Sequence, residues 1–184
     1  MSQQAAAAIA TDPVAKAFVV DPASSAIRYH AAHKLHRATG LSRSAQGKAL
    51  VHEDGKVLAA VLVPVASFRS GDMDRDGRVR EILGTGGPAV VVFKGSGRLA
   101  PAALGDRGGS VELALEGELT LHGVRRPLAI PVALELAPDG TARARASFEV
   151  SLDAHGVVRP SLLLIKVEDT CRIEVDLVLR AAQP

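Results

Sequence analysis

Histidine is the residue type whose number and spacing in this chain most resemble a chemical site. Imidazole is a common ligand of zinc, copper and haem iron, so histidines that converge could hold a metal or a haem. His33 and His36 are three residues apart and would share a face if their segment formed one helical turn. The candidate metal set adds two histidines from predicted turns, and its members are His33, His36, His122 and His155.

Two other interpretations of the histidines stay open. A loop histidine often hydrogen-bonds to backbone or solvent, and one at the mouth of a cavity can contact the polar head group of a ligand. His33 and His122 are the candidates for a head-group contact. His52 lies beside Glu53 and Asp54 in a predicted turn, and we expect it to be exposed.

The charged residues of one predicted helix form a second candidate site. Segment 72–83 begins with acidic residues that can cap a helix, and a short apolar stripe follows. Asp76 is interpreted first as structural, holding a loop through backbone amides. Arg78 and Arg80 are either solvated surface charges or anchors for a phosphate, which a guanidinium recognises through paired hydrogen bonds.

No motif in the chain indicates catalysis. Ser42, Ser44 and Ser161 lack the Gly-x-Ser-x-Gly nucleophile elbow, and the sequence has neither His-Glu-x-x-His nor a glycine-rich phosphate loop. We therefore expect a binding protein that is not an enzyme and requires no cofactor.

Strands must position these residues, because apolar and polar residues alternate along most of the chain. In the clearest case, an apolar series from Val111 to Leu121 turns at Gly123 and resumes at Leu128. Such a series is typical of two long antiparallel strands joined by a hairpin. About eight such segments, one helix and no βαβ alternation predict an all-β fold, either an antiparallel barrel or a sandwich, with one short helix.

Composition favours an apolar interior with room for a ligand. Hydrophobic residues make up 47% of the chain but aromatic residues only 3%, and there is no Trp. An eight-stranded barrel either fills its interior with side chains or holds one small ligand. Ala142, Ala144 and Ala146 would point inward where a filled core needs bulk, which favours a cavity.

One predicted strand is apolar on both faces. Segment 56–68 alternates valines with other apolar residues, so we expect cover from the core on one side and from a helix or a partner subunit on the other. A third hypothesis follows from this segment: a filled barrel that acts as an interaction module, with Val57 to Val65 supplying a dimer surface.

Length and charge exclude several classes of protein. The 184 residues fit one domain, predicted at 17–182 after a disordered tail at 1–16. The net charge of +2 comes from interspersed charges and not from a basic stripe, so we expect no nucleic-acid partner, while transient contact with a membrane surface is compatible with it. Cys171 is the single cysteine, expected as an inert buried thiol.

No apolar run reaches the ~20 residues of a membrane-spanning helix, and the start of the chain does not resemble a secretion signal. The expected location is therefore the cytoplasm as the chain is written, or the periplasm or exterior if it is a processed form.

Several short motifs, in order, resemble the YceI-like family of polyisoprenoid-binding, lipocalin-like proteins. Asp21-Pro22 opens the resemblance, His33 and Gly40 follow at the family's positions, and Arg75-Asp76 stands where its helix begins. Pro88 to Phe93 is similar to its next strand entry. The most specific stretch is Gly117-Glu118-Leu119-Thr120-Leu121-His122-Gly123-Val124, with Pro127 after it.

The resemblance implies an all-β fold, an extended eight-stranded antiparallel β-barrel of the lipocalin-like type with one short helix. Members are often dimeric, and the apolar tunnel takes the tail of a polyprenyl lipid or a quinone. It favours a non-catalytic carrier or transport protein over the alternative of a metal- or haem-dependent protein. The ligand-binding residues expected from it, combined with the strand pattern, are His33, Arg78, Arg80, Val61, Val63, Leu119, Leu121, His122, Phe148 and Leu177. Arg78 departs from the family's helix motif, which usually has His at that position.

Overall fold

The computed structural model describes residues 13–33, 36–84, 89–100, 108–159, 161–162 and 165–182. Within them the chain forms twelve strands and one α-helix, joined by short turns. The elements are β1 Val14–Val20, β2 Ala26–His33, β3 His36–Ser42, β4 Gln46–His52, β5 Lys56–Pro64, α1 Met73–Gly84, β6 Val90–Arg98, β7 Gly109–Leu121, β8 Val124–Leu136, β9 Thr141–Ser151, β10 Ser161–Leu162, β11 Ile165–Lys166 and β12 Thr170–Ala182.

Eight of these strands close an antiparallel barrel. The sheet runs β1-β4-β5-β6-β7-β8-β9-β12, and pairing of β12 with β1 closes it. The β2–β3 hairpin extends the wall beyond β1 and β4, because β2 pairs with the first half of β12. The predicted all-β, eight-stranded antiparallel barrel with one short helix is therefore confirmed.

The barrel has two distinct ends, which the strand register defines. The helix end holds α1, the β2–β3 hairpin, the β7–β8 turn and the start of β12. The far end holds the β4–β5 turn, the β8–β9 turn and the end of β12. The two ends of the barrel are therefore built from different elements.

The predicted hairpin is formed by β7 and β8, each of 13 residues. His122 and Gly123 connect them with φ angles of 54° and 75°. Positive φ at both central residues is typical of a type I′ turn, whose twist matches that of the flanking strands. His122 is thus primarily a turn residue.

Helix α1 begins as its sequence predicts. The Asp72 carboxylate accepts a hydrogen bond from the backbone N–H of Arg75 at 3.0 Å, which satisfies one of the unpaired amides of the first turn. This bond, helped by the Arg75 guanidinium, holds the pKa of Asp72 below its ordinary value. The helix ends at Gly84, and residues 85–88 lie outside the described residues.

Two local predictions are wrong. His33 and His36 pair across the β2–β3 hairpin and do not share a helical turn, because both flanking segments extend as strands. His52 is 4% exposed because it pairs with Val14, where β1 already occupies part of the predicted tail. Residues 101–107 lie outside the described residues, and β7 begins at Gly109.

The core covers one face of β5, which ends at Pro64. Leu58 is 37% exposed on the outer face of this single chain, and cover of that face by a partner subunit stays a prediction. Val57 and Val63 are buried inside the barrel, so a dimer surface on the segment Val57 to Val65 would use its outward residues, such as Leu58. Burial of Cys171, by contrast, is confirmed: burial raises the pKa of its thiol to about 11, which disfavours the reactive thiolate.

Candidate functional site

A cavity of about 980 Å³ runs through the barrel between its two ends. At the helix end its wall includes residues of α1 and of the β2–β3 hairpin, and at the far end it includes residues of the β8–β9 turn. Aliphatic and phenylalanine side chains from the barrel strands form most of the wall between them. The volume stands at the upper end of the roughly 300–1,000 Å³ that small-molecule pockets span.

Inward residues that remain partly exposed show that this interior is open. Along β9 the outward residues are exposed, while Ala144, Ala146 and Phe148 point inward and are only partly buried. Ile173 and Val175 on β12 behave in the same way. Side chains in a filled core would be almost fully buried, since protein interiors pack as densely as organic crystals.

The wall residues expected from the sequence all line this cavity. Strict alternation along each strand places them on its inner face, as the hairpin series indicates. The six residues are Val61, Val63, Leu119, Leu121, Phe148 and Leu177.

Polar groups concentrate at the helix end of the cavity. Arg75 and Arg78 of α1 line it together with Asp72 and Asp74, whereas Arg80 does not line it. Residues two apart on a helix project about 200° from each other, so Arg78 and Arg80 cannot both face the mouth. Arg78 therefore fits the expected head-group site, and Arg80 does not.

Tyr29 is a further mouth residue that the sequence did not single out. Its ring lies over Gly40 of β3, where any added Cβ atom would overlap the ring, and it contacts Phe68 edge-on at a centroid distance of 5.5 Å. Burial raises the pKa of Tyr29, and the nearby Asp76 carboxylate acts in the same direction, so the phenol stays a neutral hydrogen-bond donor. The sequence contained a signal for this position, because Tyr29 follows Ile27 at the two-residue spacing of inward residues on β2.

Asp76 has the structural role expected of it. It is 6% exposed and accepts hydrogen bonds from the Ser70 backbone N–H at 2.9 Å and the Ser70 hydroxyl at 2.6 Å. These bonds tie the first turn of α1 to the segment that leaves β5. The carboxylate thus fixes the helix over the mouth.

The structure brings together only part of the histidine set. His122 Nδ1 donates to the backbone oxygen of His155 at 3.2 Å, and His155 Nδ1 donates to the Ser151 carbonyl at 2.9 Å. Neither residue lines the cavity. His33 and His36 lie at the helix end, and their side chains are outside the described residues.

A metal centre requires at least three ligand side chains that converge on one point. Within the described ranges, no group of three His, Cys, Asp or Glu side chains is placed to hold a metal ion.

In the same ranges, no helix is long and apolar enough to span a membrane.

Comparison with known proteins decides the family. A model of the YceI-like domain matches residues 18–179, which run from within β1 to within β12 and include α1 and the barrel strands between them. The chain belongs to the YceI-like family. The predicted family resemblance is therefore confirmed, and a search of curated proteins finds no match.

Solved structures have the same fold as this YceI-like barrel. A polyisoprenoid binding domain from Saccharophagus degradans, implicated in plant cell wall breakdown, superposes with a TM-score of 0.71 at 16% identity, covering 91% of this chain and 99% of that one. BcnA of Burkholderia cenocepacia gives 0.69 at 20% identity, covering 86% and 98%. The YCEI protein of Campylobacter jejuni gives 0.60 at 11% identity, covering 79% and 85%.

The role of Asp76 in this YceI-like barrel predicts the effect of its removal. Asp76→Ala leaves the Ser70 N–H and hydroxyl without their charged acceptor, and we expect a loss of about 2 kcal/mol in the free energy of unfolding. Amide hydrogen exchange in α1 should rise before that of the barrel strands. The matched control is Asp74→Ala on the same turn, which is exposed and should cost less than about 1 kcal/mol. Equal effects of the two substitutions would contradict the assigned role.

Proposed function

We propose that this YceI-like protein is a non-catalytic carrier that holds the tail of an isoprenoid lipid or quinone in its barrel. The observation behind the proposal is the 980 Å³ cavity with an aliphatic wall and a polar mouth at one end. A Saccharophagus degradans domain of the same fold is described as polyisoprenoid binding, which supports the same ligand class here.

The size of the cavity sets the length of tail that it can hold. A methylene group is similar in size to a water molecule, and at roughly 30 Å³ for each such group the cavity of about 980 Å³ accommodates about thirty carbon atoms. That corresponds to about six isoprene units. Burial of so much apolar surface supplies most of the affinity, since each buried methylene contributes about 0.8 kcal/mol before the cost of ordering the chain.

The mouth determines where the head group lies. An oxygen of a phosphate or of a quinone carbonyl at the helix end can accept a hydrogen bond from the Tyr29 hydroxyl. Arg75 and Arg78 offer guanidinium groups at the same mouth, and guanidinium pairs with phosphate more strongly than with a neutral carbonyl. A polyprenyl phosphate should therefore gain more from the arginines than a quinone does.

A substitution that removes one charge at the mouth tests the proposal. Arg78→Gln should weaken binding of a polyprenyl phosphate about tenfold, which is the loss of one charge-assisted contact, and should change binding of a neutral quinone less than about threefold. Arg80→Gln is the matched control, since Arg80 lies on the same helix away from the cavity wall. Titration of the purified protein with both lipids measures these constants. Failure of the wild-type protein to bind either lipid contradicts the proposed function, and equal losses in the two variants contradict the placing of the head group.

A further inference from the structure

Two large apolar side chains at the helix end are far more exposed than the other large apolar side chains in the described part of the chain. Met73 is 86% exposed and Val158 is 77% exposed. The next two large hydrophobic side chains, Val19 and Leu58, are 38% and 37% exposed. Single exposed apolar residues are ordinary, but here the two most exposed both lie beside one mouth of the cavity.

The neighbouring backbone holds both side chains at this mouth. Met73 is the first residue of α1 and lies between Asp72 and Asp74, which line the cavity, and the Asp72 cap fixes that turn. Val158 follows Val157, which is 7% exposed and belongs to the cavity wall. The surrounding contacts therefore place Met73 and Val158 on the rim.

A second anchor holds the Val158 segment. The Arg159 side chain donates to the Asp153 carboxylate at 2.7 Å and to the Val167 carbonyl at 2.6 Å. Val167 also lines the cavity. Val158 is therefore held outward on the rim, between the inward Val157 and Arg159, whose side chain hydrogen-bonds to both Asp153 and Val167.

We infer that the helix end of the barrel docks on a lipid bilayer, with Met73 and Val158 inserted among the lipids around the mouth. Apolar side chains on separate elements of a rim do not form the contiguous face of about 800 Å² that a stable protein partner needs. Insertion into a bilayer needs no such face, since each inserted side chain is buried separately among the lipid chains. The inference rests on the proposed function, because the proposed cargo resides in a bilayer and would enter through this mouth.

The charged side chains of the rim should contribute less to membrane binding than the two apolar side chains do. Arg78 is exposed on α1 beside the mouth and can pair with a lipid phosphate, while Asp74 on the same helix offsets its charge. Asp72 and Asp153 are paired with arginines at 3.4 Å and 2.7 Å. Docking should therefore depend on the apolar side chains first and change only modestly with anionic lipid or salt.

Co-sedimentation with phosphatidylcholine vesicles, with and without phosphatidylglycerol, tests the inference. The full-length double variant M73S/V158S should partition to either vesicle at least tenfold less than the wild-type protein, since burial of one such side chain is worth about that factor. The matched control is V19S/L58S, which removes apolar groups of the same type from the outer barrel wall and should stay within about twofold. An absence of wild-type binding to both vesicles, or equal losses in the two double variants, overturns the inference.

A second measurement separates this result from failure of the carrier function. A water-dispersible short-chain prenyl phosphate is titrated into each variant without vesicles. Docking at the mouth predicts that M73S/V158S keeps the wild-type affinity for this lipid while losing vesicle binding. If no variant binds the prenyl phosphate but the wild type still docks through Met73 and Val158, the carrier function is refuted and the docking surface stands. If M73S/V158S loses prenyl phosphate and vesicle binding together, the side chains act in the cavity and the docking inference is overturned.

Discussion

Replacing Ala146 with Phe should abolish tail binding and leave the barrel folded. Ala146 points inward between Val132 and Val175, in the middle of the cavity. A phenyl ring there blocks the path of a single hydrocarbon chain, so we expect the affinity for a long-chain isoprenoid to fall at least a hundredfold, about 2.7 kcal/mol. The same ring in a filled core would cost about 1–3 kcal/mol of stability. In an open tunnel it enters empty space, and the melting temperature should be unchanged or raised.

The matched control for this substitution lies on the neighbouring strand. Ala133 of β8 is exposed on the outer face and pairs with Arg145, so Ala133→Phe adds the same ring without touching the cavity. Lipid titration and thermal unfolding of both variants check the prediction. A large loss of stability in Ala146→Phe would show a filled interior, and equal ligand affinities in the two variants would show that the tail does not use the tunnel.

Replacing Gly117 with Ala should be among the most destabilising single changes in the barrel. Gly117 faces Gly95 across the β6–β7 pair, and a Cβ atom there would overlap the Lys94 carbonyl oxygen and lie 2.5 Å from the Gly95 Cα. Both contacts are with backbone, so the two strands must separate. We expect a loss of about 3 kcal/mol or more, which lowers the melting temperature by roughly 10 °C in a chain of this size.

The control for the glycine prediction is a glycine with free space around it. Gly77 lies inside α1, and its added Cβ would meet nothing closer than the Arg80 side chain at 3.8 Å. Gly77→Ala should raise stability by about 0.5–1 kcal/mol, because alanine favours the helix. Differential scanning calorimetry of both variants is the measurement, and a Gly117→Ala protein as stable as wild type would contradict the close approach of β6 and β7.

Alternation along the strands was enough to predict the barrel wall. Period-two patterning assigns a face to every residue of a long strand, so Leu119, Leu121 and Phe148 could be placed inward before any pairing was known. The hairpin turn at His122 and the cap at Asp72 follow from equally local rules. These predictions depended on neighbours in sequence, which is why they hold.

Predictions that depended on contacts between residues far apart in the sequence were less accurate. His52 is buried because β1 reaches back to Val14, a residue assigned to the tail. Tyr29 belongs to the mouth because Gly40 and Phe68 shape a place for its ring. The histidine spacing at 33 and 36 fits a hairpin as well as a helical turn, and only the pairing of β2 with β3 distinguishes them. The homodimer and the cellular compartment stay predictions.

The content of the purified protein tests the carrier proposal most directly. Protein prepared without detergent is extracted with organic solvent, and the extract is analysed by mass spectrometry beside that of the Ala146→Phe and Ala133→Phe variants. The proposal predicts an isoprenoid lipid or quinone in wild type and in Ala133→Phe, reduced at least about tenfold in Ala146→Phe. Equal lipid in Ala146→Phe and wild type, or none enriched in wild type, would contradict it.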